Sequence, residues 1–334
     1  MSGDLEHGGA LDRVAMHFPA APQPWVDLST GINPWSWPTA PIEGEALRHL
    51  PTRADRDRCQ SAMAKAFGAP EAAMTLVPGT ELAIRLLPQL LTARRVAVLS
   101  PTYGDHVESW GAAGAEVVRT DDPLALAGDA EVIVLCNPNN PDGRRFEVDA
   151  LTALAARQAE RGRWLVVDEA YADLDPALSL APRAGSPGLV ILRSTGKFYG
   201  LAGLRLGAVL GPPALLEALD RLLGVWRVSG PALIIGAQAY ADSAWQHAMR
   251  TRLAAARERL DAVIEAAGCR VAGGTDLFRF VETSEAHATW HRLCEHGIYT
   301  RRFPWTPSHL RVGLPATPGA EARLANALSL EQKG

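Results

Sequence analysis

Lys197 stands in the stretch Ser194-Thr195-Gly196-Lys197-Phe198-Tyr199-Gly200-Leu201-Ala202-Gly203-Leu204-Arg205-Leu206-Gly207. A lysine amine condenses with an aldehyde to a Schiff base. Ser194 and Thr195 supply hydroxyls, Arg205 supplies a planar fork of N–H donors that matches a phosphate, and Gly196 lets the backbone come close. Amine, hydroxyls and guanidinium together suit pyridoxal 5'-phosphate. Two plainer readings compete. A nucleotide P-loop needs a glycine five residues before its second glycine and a Ser or Thr after the lysine; Ile191 and Phe198 occupy those places, so that reading fails. A solvated surface lysine can only be weighed against the rest of the chain.

Three further segments bear on it. Leu165-Val166-Val167-Asp168-Glu169-Ala170-Tyr171 reads as an apolar strand that delivers an acid at its C-terminal end, where ligands gather in open α/β sheets. Such an aspartate can hold a pyridine nitrogen protonated. Val132-Ile133-Val134-Leu135-Cys136-Asn137-Pro138-Asn139-Asn140-Pro141 reads as a second buried strand ending in a polar loop stiffened by prolines, where Asn137 could hydrogen-bond a phenolic oxygen. Val77-Pro78-Gly79-Thr80-Glu81, followed by Leu82-Ala83-Ile84-Arg85-Leu86-Leu87, reads as strand, glycine turn and helix start. Orphan amides and the helix dipole make that an anion site.

In the order and content of these segments the chain resembles the fold type I pyridoxal phosphate enzymes of the class I and II aminotransferase group, over nearly all its length. The resemblance implies an α/β fold with a large domain on a mostly parallel sheet and a smaller α+β C-terminal domain. It puts Gly79, Thr80 and Glu81 at the phosphate cup, Tyr103 of Pro101-Thr102-Tyr103 stacked on the ring, and Asn137 and Tyr171 on the ring hydroxyl. It also puts Asp168 on the pyridine nitrogen, Ser194 and Arg205 on the phosphate, Lys197 as the Schiff-base lysine, and Arg311 of Leu310-Arg311-Val312-Gly313 on the substrate carboxylate. Lys197, Asp168 and Tyr171 are then the catalytic set, and no metal is expected.

The N-terminus is more specific. His7-Gly8-Gly9-Ala10-Leu11 and Asp27-Leu28-Ser29-Thr30-Gly31-Ile32-Asn33-Pro34 resemble the opening of threonine-phosphate decarboxylases, which make aminopropanol phosphate in cobalamin biosynthesis. Ala10 stands where an asparagine is frequent in that group. Histidinol-phosphate aminotransferases generally lack the His-Gly-Gly start and commonly carry Arg-Tyr-Pro, whose tyrosine reaches the partner subunit's cofactor, where this chain has His49-Leu50-Pro51. The resemblance places the substrate phosphate on His7, Gly8, Asn33 and Arg301, with Asn137 and Arg311 also facing the substrate. Arg301 is shared with the histidinol-phosphate enzymes, so it argues for a phosphorylated amino acid without choosing between them; its plainer reading is a solvated pair with Arg302. The chemistry turns on which bond at the α-carbon stands perpendicular to the ring. A decarboxylase holds the carboxylate there, and a transaminase holds the hydrogen. A binding protein that kept the fold and lost catalysis has no need of Lys197, Asp168, Asn137, Tyr171 and Arg205 together.

Composition bounds these readings. The chain has 334 residues, 47% of them hydrophobic and 21% charged, a soluble globular composition with room for two domains. A net charge of −4 and no basic run beyond pairs such as Arg144-Arg145 leave no footprint for nucleic acid. Cys59, Cys136, Cys269 and Cys294 are far apart and without metal spacing, so reduced thiols are expected. Asp4 and Glu6 stand where a secretory signal carries positive charge, and no apolar run approaches the ~18 residues of a membrane span, so a cytoplasmic enzyme is expected. Six prolines from Pro19 to Pro41 predict an extended arm over residues 1–45, Trp25, Trp35 and Trp37 packing it down. A large cofactor-binding domain over 46–225 and a small domain over 226–334 follow. Because fold type I sites resemble dimer interfaces, a homodimer is expected.

Overall fold

The computed structural model describes residues 8–329. In chain order its strands are β1 (Val26–Asp27), β2 (Met74–Val77), β3 (Arg95–Leu99), β4 (Glu116–Thr120), β5 (Val132–Cys136), β6 (Trp164–Asp168), β7 (Leu189–Ser194) and β8 (Gly207–Leu210). There follow β9 (Arg270–Thr275), β10 (Phe278–Glu282), β11 (Ile298–Tyr299), β12 (Arg301–Arg302) and β13 (His309–Gly313). The chain divides into two units. The larger holds Ser36–Asn140 and Arg144–His247; the smaller holds the chain up to Trp35, Pro141–Gly143 and the chain from Ala248 on. These limits differ from the sequence expectation, since residues 36–45 and 226–247 fall with the larger unit. Hydrophobic runs and prolines mark elements, whereas a unit is defined by which elements pack together.

The larger unit is built on one seven-stranded sheet in the order β2-β8-β7-β6-β5-β3-β4. β3 to β7 are mutually parallel, and β8 runs antiparallel to both of its neighbours. Parallel strands are covered on both faces and read as unbroken apolar runs, and every residue of β5 is buried. Val132 and Val134 of β5, Val166 of β6, and Val190 and Leu192 of β7 share a core with Ala83, Ile84 and Leu87 of the helix Thr80–Leu90 and Leu215, Leu216 and Leu219 of the helix Pro213–Leu223. Side chains alternate along a strand, so Cys136, Asp168 and Ser194, which end β5, β6 and β7, continue these same rows. Gly79 connects β2 to the helix Thr80–Leu90 at a φ of +83°, in the left-handed region that a side chain would strain.

The smaller unit has an antiparallel sheet, β12-β13-β10-β9, and a two-stranded parallel pair of β1 with β11. The sequence reads Asp276 to Val281 and Leu310 to Val312 as short strands, and β10 and β13 lie there. β9 was not foreseen, because Gly273 and Gly274 weaken its strand signal. The glycines have a cause: a Cβ on Gly273 would lie 2.2 Å from the Asp142 carbonyl oxygen, and Gly274 N–H donates to that oxygen at 2.8 Å. The N-terminal segment is only partly the extended arm expected, since it contains the helix Leu11–His17 and β1. Trp35 packs it as expected, with its indole N–H on the Ala316 carbonyl at 3.1 Å and Arg252 stacked over its ring at 4.0 Å. Among the described residues no helix is long and apolar enough to cross a membrane.

Leu87 is buried between helix and sheet. Leu87→Ala should cost roughly 2–5 kcal/mol through lost transfer energy and a residual cavity. In urea unfolding the midpoint should fall with the slope unchanged; an unaltered midpoint would mean that the helix Thr80–Leu90 is not anchored through this residue.

Candidate active site

A pocket at the C-terminal ends of β5, β6 and β7 is lined by Thr80, Glu81, Tyr103, Cys136, Asn140, Asp168, Ala170, Tyr171, Ser194, Lys197 and Arg205. It is the larger unit's own, and it gathers residues spread over 126 positions of sequence from Thr80 to Arg205. Each arrives by a simple device. Asp168 and Ser194 end their strands on the inward row, Thr80 and Glu81 open a helix, and Lys197 lies on the turn that follows β7.

Asp168 is almost fully buried and held on both oxygens: the Ala170 backbone N–H donates to Oδ1 at 3.0 Å, and His106 Nε2 lies 3.0 Å from Oδ2. His106 itself is buried on the helix Gly104–Ala112. Burial presses its pKa down, but hydrogen bonds to Asp168 and Cys136 and the Asp168 charge outweigh it and lift the imidazole to about 10. His106 is therefore protonated at neutral pH and donates to the carboxylate. The sequence reading missed it. The signal was available in part, since His106 follows Tyr103 by three residues, one helical turn, but nothing local links it to an aspartate 62 positions on.

Tyr103 presents its ring to the pocket, edge-on to His106 at a centroid distance of 6.0 Å. Its hydroxyl donates to Asp105 at 2.8 Å, and burial together with the Asp105 charge keeps the phenol neutral by pushing its pKa well up. Asp105 lies 3.6 Å from Arg85, Arg85 is 3.8 Å from Glu81, and Glu81 is 3.5 Å from Arg205. The Glu81–Arg205 contact is about half-exposed, so it ties the guanidinium only weakly. Arg205 adopts a left-handed φ of 52° and lies over Gly79, where a Cβ would meet its Nη2 at 2.7 Å. Gly79 is thus the floor under the cation rather than part of the pocket lining. The Lys197 amine stands 5.8 Å from the centre of the Tyr171 ring.

Two expected donors are committed elsewhere. The Asn137 side chain donates to the carbonyls of Phe146 and Leu178 at 3.2 and 3.3 Å and accepts from Phe146 N–H at 3.0 Å, so its amide braces a loop and Asn140 lines the pocket instead. Alternation explains it: Cys136 faces in, so Asn137 faces out. Thr195 follows Ser194 and is likewise turned away, bonding the Tyr240 hydroxyl at 3.1 Å.

The remaining candidates lie in the smaller unit. Arg311 of β13 is buried, its guanidinium donating to the Ser29 carbonyl and lying 5.2 Å from the Phe278 ring centre. Arg301 of β12 pairs in register with Arg311 and lies over Phe303. Ser29, which the sequence reading passed over, ties the opening to this sheet: its hydroxyl accepts from Gly9 N–H at 2.8 Å and donates to Asp27 at 2.6 Å, and a Cβ on Gly8 would lie 2.5 Å from its carbonyl. Asn33 is buried, its side-chain oxygen accepting from Trp35 N–H at 2.9 Å. His7 lies outside the described residues.

An amine, a carboxylate backed by an imidazolium, an aromatic face, and a guanidinium beside a serine hydroxyl and a helix N-terminus fit a phosphorylated aryl aldehyde with a basic ring nitrogen. The sequence pattern of the family described as aminotransferase class I and II matches residues 43–328, and the chain belongs to that family. It is 42% identical to a threonine-phosphate decarboxylase of Sinorhizobium sp. over 98% of this chain and 99% of that one. It is 30% identical to a histidinol-phosphate aminotransferase of Chromohalobacter salexigens over 83% of this chain and 84% of that one. In fold it is similar to the histidinol-phosphate aminotransferase of Sinorhizobium meliloti solved in complex with pyridoxal-5'-phosphate, with a TM-score of 0.83 at 20% identity over 96% of this chain and 93% of that one.

The raised His106 pKa has a signed consequence. The pairing stabilises the fold fully below the ordinary value of 6.5 and is lost as pH rises through about 10. Urea stability should decline across that interval, and His106→Gln should flatten the decline. Parallel pH profiles for the two proteins would disprove the charged pairing.

Proposed function

We propose that the protein is a pyridoxal 5'-phosphate-dependent decarboxylase that converts O-phosphothreonine to aminopropanol phosphate and CO₂, a cytoplasmic homodimer serving cobalamin biosynthesis. What carries the reading is the 42% identity that runs nearly end to end with a threonine-phosphate decarboxylase, together with the Lys197 and Asp168 pocket. The 30% match to a histidinol-phosphate aminotransferase covers less of both chains and supports transamination as the second reading. Homodimer formation is supported by apolar side chains left exposed on the larger unit, among them Leu47, Leu50, Val225 and Trp226.

The bound cofactor supplies an electron sink for the pair released when a bond at the substrate α-carbon breaks. Lys197 would hold it through its amine. Asp168, its carboxylate fixed from behind by His106, would accept the hydrogen bond of the ring nitrogen and keep the proton there. Tyr103, Asn140 and Tyr171 line the pocket where its ring would be held, and Ser194, Arg205 and the amides at Thr80 and Glu81 would hold its phosphate. Arg311 receives the substrate carboxylate and Arg301 the substrate phosphate, with Gly8 and Asn33 from the opening segment. The C–C bond to the carboxylate breaks, CO₂ leaves, and a proton takes its place on the carbon; Lys197, which lines the pocket, is the acid that would deliver it.

The test is to incubate the protein with O-phosphothreonine and measure CO₂, beside histidinol phosphate with 2-oxoglutarate. CO₂ release without amino transfer is expected, and the reverse result would select the transaminase. Lys197→Ala should lose turnover and the borohydride-reducible bond to the cofactor; retention of that bond would move the assignment to another lysine.

Arg301→Ala should weaken O-phosphothreonine binding about 10- to 100-fold, in line with roughly 1.5–3 kcal/mol for a charge-assisted hydrogen bond, and should leave threonine binding nearly unchanged. Arg311→Ala should weaken both. Equal losses for both ligands in Arg301→Ala would remove it as the phosphate ligand.

A further inference from the structure

Behind the pocket lies a second group of charges that the reaction does not touch. Arg193, Glu169, Asp173 and Ser179 are all buried in the larger unit. Arg193 Nη1 donates to Glu169 Oε2 and to Ser179 Oγ, both at 3.0 Å, Nη2 donates to Asp173, and the guanidinium lies 4.1 Å from the centre of the Phe67 ring. Glu169 also accepts from the Ser179 hydroxyl at 2.5 Å and from Leu180 N–H at 2.6 Å.

The placement is systematic. Asp168 and Glu169 are consecutive, as are Arg193 and Ser194, and side chains alternate. The first of one pair and the second of the other line the pocket, so their neighbours point to the opposite side of the sheet and meet there. Glu169 N–H continues the ladder onto the Leu192 carbonyl at 2.9 Å, keeping the two strand ends in step. Tyr171 stands between Glu169 and Asp173, both bonded to Arg193, so the segment that carries Tyr171 into the pocket is clamped on each side of it. Arg193 directly precedes Ser194 and lies four residues before Lys197. A buried ion pair is poor value as a source of stability, because desolvation offsets most of its attraction; what a planar fork with several partners supplies is a single geometry.

We infer that Arg193 and Glu169 are positioning residues, a clamp on the far side of the sheet that sets Lys197 and Ser194 against Asp168 and Tyr171. The inference rests on the proposed function, which gives those four residues their roles. A clamp of this kind acts on geometry, and small misplacements of reacting groups are costly: about 1 Å is enough for about 100-fold.

The test compares Arg193→Lys, which keeps the charge and loses the fork, Glu169→Gln, and the milder Ser179→Ala, with wild-type holoenzyme. The readouts are the visible absorbance and circular dichroism of the bound cofactor, kcat and KM for O-phosphothreonine, and urea stability. Arg193→Lys and Glu169→Gln should keep the borohydride-reducible cofactor, change its visible circular dichroism, and lower kcat about 10- to 100-fold with KM within about twofold. Ser179→Ala should shift the same readouts in the same direction and less. It also decides the matter if the two charge variants fail to fold. Variants that lose stability alone, with cofactor spectrum and kcat as in wild type, would overturn the clamp and leave the proposed function standing. A wild-type protein that takes up no cofactor would overturn both.

Discussion

The two-residue repeat of a strand buried on both faces governs this molecule. In β5, β6 and β7 one row of side chains is apolar through the sheet and turns chemical at the last position, giving Cys136, Asp168 and Ser194. The pocket is therefore an extension of the core, and the packing of the helices Thr80–Leu90 and Pro213–Leu223 against that row also fixes where the acid and the hydroxyl stand. Rigidity comes from the close packing of the interior, which resists displacement of any one side chain. The opposite row, ending in Asn137, Glu169 and Arg193, is just as polar and binds no pocket; it binds loops.

Buried charges are partnered on each face separately. On the pocket face Asp168 has an imidazolium behind it, and hydrogen bonds to Asp168 and Cys136 together with the Asp168 charge outweigh the burial that presses the His106 pKa down. On the other face one guanidinium answers two carboxylates, with Ser179 and Leu180 N–H satisfying the rest of Glu169. Polar groups taken out of water have to be paired in this way. Pairing in turn locks rotamers, which a site needing fixed directions requires.

The smaller unit uses a different principle. Its cations stand on neighbouring antiparallel strands, and in-register pairing puts Arg301 opposite Arg311. Like charges side by side are unfavourable, and each guanidinium has an aromatic ring beneath it, Phe303 for Arg301 and Phe278 for Arg311. Ser29 brings the glycine opening to the same sheet through Gly9 and through its carbonyl on Arg311.

The parallel sheet, the strand ends and most pocket residues were legible in the amino-acid order, because unbroken apolar runs ending in Asp168 or Ser194 and a glycine before a helix start are local patterns. Lys197, Thr80, Glu81 and Arg205 could be named for the same reason, and Tyr103 and Tyr171 through the resemblance to the family. Asn137 and Asn140 share one Asn-Pro-rich loop and look alike as text; only the inward turn of Cys136 separates the amide that braces Phe146 from the one in the pocket. His106 was invisible because its partner is 62 residues away and the helix that carries it reads as an ordinary amphipathic one. The division of the chain was hidden for a related reason, since Pro141–Gly143 joins the smaller unit through Gly274 N–H on Asp142, a contact that two glycines permit and no local pattern announces. Sequence determined which chemical groups were present and which strand or turn would carry them. Tertiary structure decided which way each one faced and what stood behind it, because facing and pairing depend on neighbours brought together only when the chain folds.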